Sequence, residues 1–119
     1  SPLNAEIAQF LLEDAGASVE LAKNGQEAVE AFASHAPGHY DVILMDVMMP
    51  VLDGCEATRA IRALDRPDGK TVPIVAMTAN AFLEDIAKCR QAGMNDHLAK
   101  PLDMDRTLRT IARYRKKEA

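Results

Sequence analysis

The chain has 119 residues, with 14 Lys and Arg against 18 Asp and Glu, giving a formal net charge of −4. That length fits one domain, and a composition 48% hydrophobic and 27% charged leaves enough apolar material for a core, which excludes disorder and fibrous repeats. The acidity argues against direct nucleic-acid binding through a basic face, and no apolar run reaches the ~18 to 20 residues that a membrane span needs.

Ser1 is expected to cap a first helix with Pro2 in its first turn, carrying Leu3, Ile7, Phe10 and Leu11 at helical spacing until Gly16 stops it. A helix opening at the first residue without an initiator Met is the pattern expected of a chain cut from a longer one. Ser18 to Ala22 alternates like a short strand. Asn24 then caps a second helix, with Glu27 as its return partner and Ala28, Val29 and Phe32 facing inward, ending before Pro37-Gly38.

Val42-Ile43-Leu44-Met45, bounded by Asp41 and Asp46, is a continuous apolar run of the kind expected for a central parallel strand covered on both faces. A loop over Met49-Pro50-Val51-Leu52 leads to Asp53 and Glu56, which cap a helix bearing Ala57, Ala60, Ile61 and Leu64. Arg66 to Lys70 is polar and turn-rich, and is expected to be exposed and mobile. Pro73 to Thr78 is a second buried strand, followed by a helix over about Phe82 to Ala92 that Gly93 ends. His97 to Lys100 is a short strand before Pro101. A last helix runs from about Asp103 to Lys117, with Leu108, Ile111 and Ala112 as its apolar side and Arg113, Arg115, Lys116 and Lys117 complementing its dipole.

Strands alternating with helices across short loops imply an α/β fold, a parallel sheet with helices on both faces. In such a sheet ligands sit at the carboxyl ends of the strands. Three strand ends present polar side chains there: Asp46, Thr78 and Lys100. Singly each reads as a cap or a turn residue. Together, a carboxylate, a hydroxyl and an ammonium suit an anion: the first can attack a phosphoryl group, the second can hydrogen-bond its oxygen, and the third can neutralise developing charge. Cys55 and Cys89 lack CxxC spacing, so neither a zinc knuckle nor a disulfide framework is expected, and a reduced, cytoplasmic setting is.

Asp41-Val42-Ile43-Leu44-Met45-Asp46-Val47-Met48-Met49-Pro50 followed by Leu52-Asp53-Gly54 resembles the phosphoacceptor region of response-regulator receiver domains. The intervals agree: 32 positions separate Asp46 from Thr78 and 22 separate Thr78 from Lys100, and Lys100-Pro101 resembles the family's Lys-Pro step, usually cis. The resemblance implies the flavodoxin-like, CheY-like fold over residues 1–119. It also implies that Asp46 accepts phosphate from a phosphohistidine, that Lys100 contacts the phosphoryl group, and that Thr78 moves toward it. Ala79 would leave access to the aspartate, and His97 would occupy the place of the switch side chain. Met77 to Ala81, Ala92 to Asp96 and Leu98 to Leu102 resemble receivers of hybrid sensor histidine kinases. The implied partners are a histidine kinase domain and a histidine phosphotransfer domain, and the implied function is phosphorelay.

Receivers open with an apolar strand ending in two acids that help hold Mg²⁺, and here that strand would precede Ser1. Asp46 and the Met48 carbonyl remain as ligands for a cation that wants about six oxygens, so weak Mg²⁺ binding and poor phosphate acceptance are expected of this chain alone. In the order 2-1-3-4-5 that strand is central. Burying its four or five apolar side chains contributes roughly 6 to 15 kcal/mol, comparable to a whole domain's ~5 to 15 kcal/mol. The expected consequences are a strand supplied by the parent protein, strand exchange between copies, or a rearranged four-strand sheet pairing Val19 to Ala22 with Val42 to Met45. Two other functions compete. An aspartate-nucleophile phosphatase wants a second acid two residues after the nucleophile, where Met48 stands. A docking module that is never phosphorylated has no need of Asp46, Thr78 and Lys100 together.

Overall fold

Ile43–Asp46 (β1), Ile74–Thr78 (β2) and Asp96–Ala99 (β3) form a parallel sheet in that order in the computed structural model, which describes residues 2–48, 51–79 and 83–116. The expected Ser1 cap, the Met49-Pro50 step, the residues Asn80 to Phe82 and Lys117 lie outside them. The helices are α1 (Pro2–Asp14), α2 (Gly25–Ser34), α3 (Gly54–Ala63), α4 (Pro67–Thr71), α5 (Leu83–Ala92) and α6 (Met104–Tyr114). Ile43 lies opposite Ile74 and Asp46 opposite Met77, while Val75 lies opposite Asp96 and Thr78 opposite Ala99.

Local chemistry places most of these boundaries. Asp53 accepts from the Glu56 N–H at 2.8 Å and Glu56 returns to the Asp53 N–H, a reciprocal cap that starts α3. Asn24 caps α2 through the Glu27 N–H at 2.8 Å, but Glu27 returns its bond to the Lys23 N–H and not to that of Asn24. Gly93, at φ 111°, ends α5 in the left-handed region.

The core follows from the central strand. Ile74 and Ala76 pack with Phe32, Met45, Ala57, Ile61, Cys89 and Met94, under α2, α3 and α5. Val75 points to the opposite face, as alternation along a strand requires, and is equally buried. That is the helix-covered parallel sheet expected from the sequence.

Four expectations are corrected. The apolar run before Asp46 is an edge strand among the described residues: β2, not β1, is central, and β1 is only partly covered apart from Met45. Ser18 to Ala22 makes no ladder, and the rearranged four-strand sheet is not formed. The physical reason is pairing: a strand needs a neighbour for its N–H and C=O groups, and Glu20 turns instead to Tyr40 and His39. Arg66 to Lys70 is no bare turn. Pro67 opens α4, Gly69 is buried, and Arg66 clasps Asp68 while lying 4.7 Å above the Phe32 ring. Finally, α6 buries Thr107 and Thr110, while Leu108 and Ile111 are half-buried and Ala112 is exposed. The hydroxyls are satisfied by the carbonyls of Asp103 and Arg106 at 2.8 and 2.9 Å, which makes threonine burial inexpensive.

Candidate functional site

The parallel register brings the carboxyl ends of all three strands to one edge of the sheet. Asp46 is the last residue of β1, and the Val47 N–H bonds the Met77 carbonyl at 3.1 Å, carrying the ladder one residue past it. Lys100 follows β3 directly, and its own N–H bonds the Thr78 carbonyl at 2.8 Å. The Lys100–Pro101 bond is cis. These backbone bonds set the side chains: Lys100 Nζ donates to Asp46 Oδ2 at 2.7 Å, and the Met48 N–H donates to Asp46 Oδ1 at 3.0 Å. The two carboxylate oxygens are thus held in different directions.

The pair is built for something other than stability. The side chains are 36% and 27% exposed, and ion pairs in such surroundings contribute about 0 to 1 kcal/mol. An ammonium kept next to a partly open carboxylate instead provides charge where an incoming anion would bind.

Gly54 sets the approach of α3 to this edge. It is buried, its N–H bonds the Val47 carbonyl at 3.1 Å, and a Cβ there would collide with the Asp46 carbonyl oxygen. Only glycine lets the helix start so close to the strand end. Between them the chain makes a strained turn, since exposed Val51 sits at φ 70°, in the left-handed region that a β-branched residue avoids.

Thr78 ends β2 with 7% exposure. With Val47, Met48, Cys55, Ala79, Asp85, Lys88 and Cys89 it lines a small cleft of about 110 Å³ beside the Asp46 loop. Burial, with Cys55 alongside, pushes the Cys89 thiol up to about 11, so it stays protonated and is no nucleophile at neutral pH. Both cysteines are free thiols.

His97 shares a sheet face with Thr78 by register, since it lies opposite Ala76 and Thr78 lies opposite Ala99. Its ring, however, lines a second cleft of about 230 Å³ with Asp96, Arg106, Arg109, Thr110 and Arg113 of the α6 side. The structure therefore joins Asp46 to Lys100, seats Thr78 one strand away, leaves Ala79 and Pro101 exposed around them, and turns His97 outward.

For a hard cation, the described residues offer the Asp46 carboxylate and the Met48 carbonyl, against the six oxygens Mg²⁺ takes. Among the described residues no group of three metal-ligating side chains includes Asp46. The donor chemistry is right and the number falls short. One grouping that sequence reasoning missed does appear: Glu20, His35 and His39 gather on the side where β1 begins, whereas Asp46 ends that strand. The signal in the sequence is the His-x₃-His interval of His35 and His39, which lies away from any strand's carboxyl end.

Comparison with known proteins gives a consistent result. Residues 1–112 match the family described as the response regulator receiver domain. Hybrid signal transduction histidine kinase B of Dictyostelium discoideum is 46% identical over 109 residues, covering 84% of this chain and 5% of that kinase. The chain spans between 5% and 14% of the length of such relatives. Among solved structures, the receiver domain of sensor histidine kinase PA1611 from Pseudomonas aeruginosa PAO1, with magnesium coordinated in its active-site cleft, is 43% identical with a TM-score of 0.85, covering 96% of this chain and 89% of that one. The receiver domain of Ssk1 in complex with the histidine phosphotransfer protein Ypd1 of Saccharomyces cerevisiae matches at 32% identity and a TM-score of 0.83, with coverage of 96% and 82%.

Proposed function

Because this chain belongs to the response regulator receiver domain family, we propose that its residues 1–119 act as one receiver that takes a phosphoryl group from phosphohistidine onto Asp46 and relays it. The observation that carries the assignment to Asp46 is its 2.7 Å contact with Lys100 at the strand ends. An Asp46 carboxylate oxygen attacks phosphorus, an O–P bond forms and the P–N bond of the donor breaks. The departing imidazole keeps the electron pair and takes a proton. Lys100 moves from the carboxylate to a phosphoryl oxygen, which keeps charge neutralised through the transfer. The small Ala79 side chain and the exposed Met48 leave the approach open, and Pro101 fixes the turn that follows Lys100.

Thr78 is the group placed to hydrogen-bond the phosphoryl oxygen, and His97 is its neighbour on the same sheet face. In this reading the outward His97 is the resting state of the switch. Partners follow from the relatives: a histidine kinase domain as donor and a histidine phosphotransfer domain as recipient, in a cytoplasmic setting. Self-association by strand exchange along the open edge of β1 is the remaining partner of this reading. Mg²⁺ supplies charge neutralisation to receivers that hold it, and with Asp46 and the Met48 carbonyl alone this chain binds it weakly.

The test is incubation of the chain with acetyl phosphate, or with a phosphorylated histidine phosphotransfer domain, at high Mg²⁺, followed by intact-mass measurement. One phosphoryl adduct, labile to hydroxylamine and absent from Asp46→Asn, is expected. An adduct that persists in Asp46→Asn would overturn the assignment of Asp46.

A further inference from the structure

Where β1 begins, at the other end of that strand from Asp46, two imidazoles and a carboxylate converge. His35 follows α2 directly, His39 closes the turn after it, and Glu20 comes from the stretch that makes no ladder. One ligand atom from each lies within 4.8 Å of the other two. We propose that Glu20, His35 and His39 form a binding site for a divalent transition ion of the Zn²⁺ kind, which fastens the unpaired 17–24 stretch to the turn before β1.

The donor set carries the choice of ion. Two imidazole nitrogens and one carboxylate suit Zn²⁺, and they do not suit Mg²⁺ or Ca²⁺, which take oxygen ligands. Three protein ligands leave a fourth position to water, the arrangement of open zinc sites. The backbone beside His35 fixes which of its nitrogens is open to an ion. His35 Nδ1 lies 2.8 Å from the Ala31 carbonyl oxygen, an atom that only accepts, so Nδ1 carries the hydrogen and the lone pair stands on Nε2. A backbone carbonyl in that role is the usual outer partner of a metal-bound histidine. His35 Nδ1 also lies 3.2 Å from the Tyr40 hydroxyl and 3.4 Å from Ser34 Oγ. The Tyr40 hydroxyl donates to Glu20 Oε2 at 2.6 Å, which leaves Oε1, 3.3 Å from His39 Nε2, as the oxygen for the ion.

The two imidazoles stack, with centroids 4.0 Å apart and planes 14° from parallel, so their in-plane lone pairs run side by side and one ring must tilt for both to meet a single ion. Ligand atoms on a tetrahedral Zn²⁺ at about 2.0 to 2.2 Å stand roughly 3.4 Å from one another. Closing the present separations takes a rotation of each ring about its own side chain. His39 and Glu20 are free to make it, at 42% and 51% side-chain exposure.

The chain contains three histidines, so His97 serves as an internal reference. Adding Zn²⁺ in excess Mg²⁺ should shift or broaden the ring resonances of His35 and His39 and leave those of His97 in place. Calorimetry should give one site per chain, weakened about 10-fold or more in each of His35→Gln, His39→Gln and Glu20→Gln, and unchanged in Cys55→Ser. Because the resonance shifts are read on the unaltered chain, the result does not depend on how the variants fold. Unmoved His35 and His39 signals, or equal affinity in the variant carrying both His35→Gln and His39→Gln, would overturn the site.

Discussion

Lys100 and Asp46, 54 positions apart in the chain, meet at 2.7 Å because each stands where its strand ends. The contact is a product of register: Asp46 lies level with Met77 and Leu98, and Lys100, two residues past Leu98 on the same side of the strand, reaches back to it with its long side chain. A carboxylate that is to accept a phosphoryl group must shed repulsion from the phosphoryl oxygens, and a cation already beside it does that with no rearrangement at the moment of reaction.

Lys100→Ala is therefore expected to separate chemistry from folding. Phosphorylation of Asp46 by acetyl phosphate at high Mg²⁺ should slow by about 10²- to 10³-fold. Stability should change by no more than about 1 kcal/mol, the ceiling for a part-exposed pair. Intact-mass time courses and urea unfolding on the same protein give both numbers, and a large loss of stability with unchanged phosphorylation would assign Lys100 a structural role instead.

Gly54→Ala tests the close approach of α3. A Cβ there would meet the Asp46 carbonyl oxygen and come within 2.9 Å of Val47 Cα, both backbone atoms that cannot rotate away. Overpacking of this kind costs about 1 to 3 kcal/mol. The expected result is that loss in urea unfolding together with slower phosphorylation, since the strand end that carries Asp46 must shift to make room. An unaffected Gly54→Ala variant would mean that α3 does not start where it is placed here.

How much of this was readable beforehand depends on the range of the interaction. The Asp53–Glu56 cap spans three residues, and both partners are visible in the sequence. Asp46, Thr78 and Lys100 were readable for a related reason: each closes a short apolar run, and parallel strands share one carboxyl edge. The edge position of β1 was not readable, because an apolar run reports burial and not which neighbour supplies it. The helical turn at Pro67–Thr71 was not readable because two of the contacts that hold it, Arg66 over the Phe32 ring and the Gly38 N–H bonded to Asp68 at 3.1 Å, are tertiary. Thr107 and Thr110 look like surface residues until their hydroxyls are seen to bond the preceding turn. Glu20 meets His35 and His39 only through the fold.

Val51 offers a prediction in the opposite direction. At φ 70° and 80% exposure, its side chain gains little from burial and strains the backbone. Such a conformation costs on the order of 1 to 3 kcal/mol for a β-branched residue, and asparagine tolerates it far better. Val51→Asn should raise stability by about 1 kcal/mol in urea unfolding. A decrease would show that Val51 makes a contact that outweighs its backbone strain.

The pH dependence of stability should carry the mark of Asp68. The Arg66 guanidinium, which donates to both carboxylate oxygens at 2.6 and 2.9 Å, holds the Asp68 carboxyl down from 3.8 to about 2, aided by the Gly38 N–H. A carboxyl depressed in the folded state stabilises that state fully above its unfolded value, and the contribution disappears as pH falls through the folded one. Between about pH 4 and pH 2, then, the native chain should lose stability more steeply than Asp68→Asn, whose amide does not titrate. Above pH 5 the two curves should run parallel, with the native chain higher, since Arg66 also joins α4 to the end of α2 through the Phe32 carbonyl at 3.2 Å. Urea unfolding across that pH range checks it, and coincident acid limbs would show that the Arg66–Asp68 pair does not persist in solution.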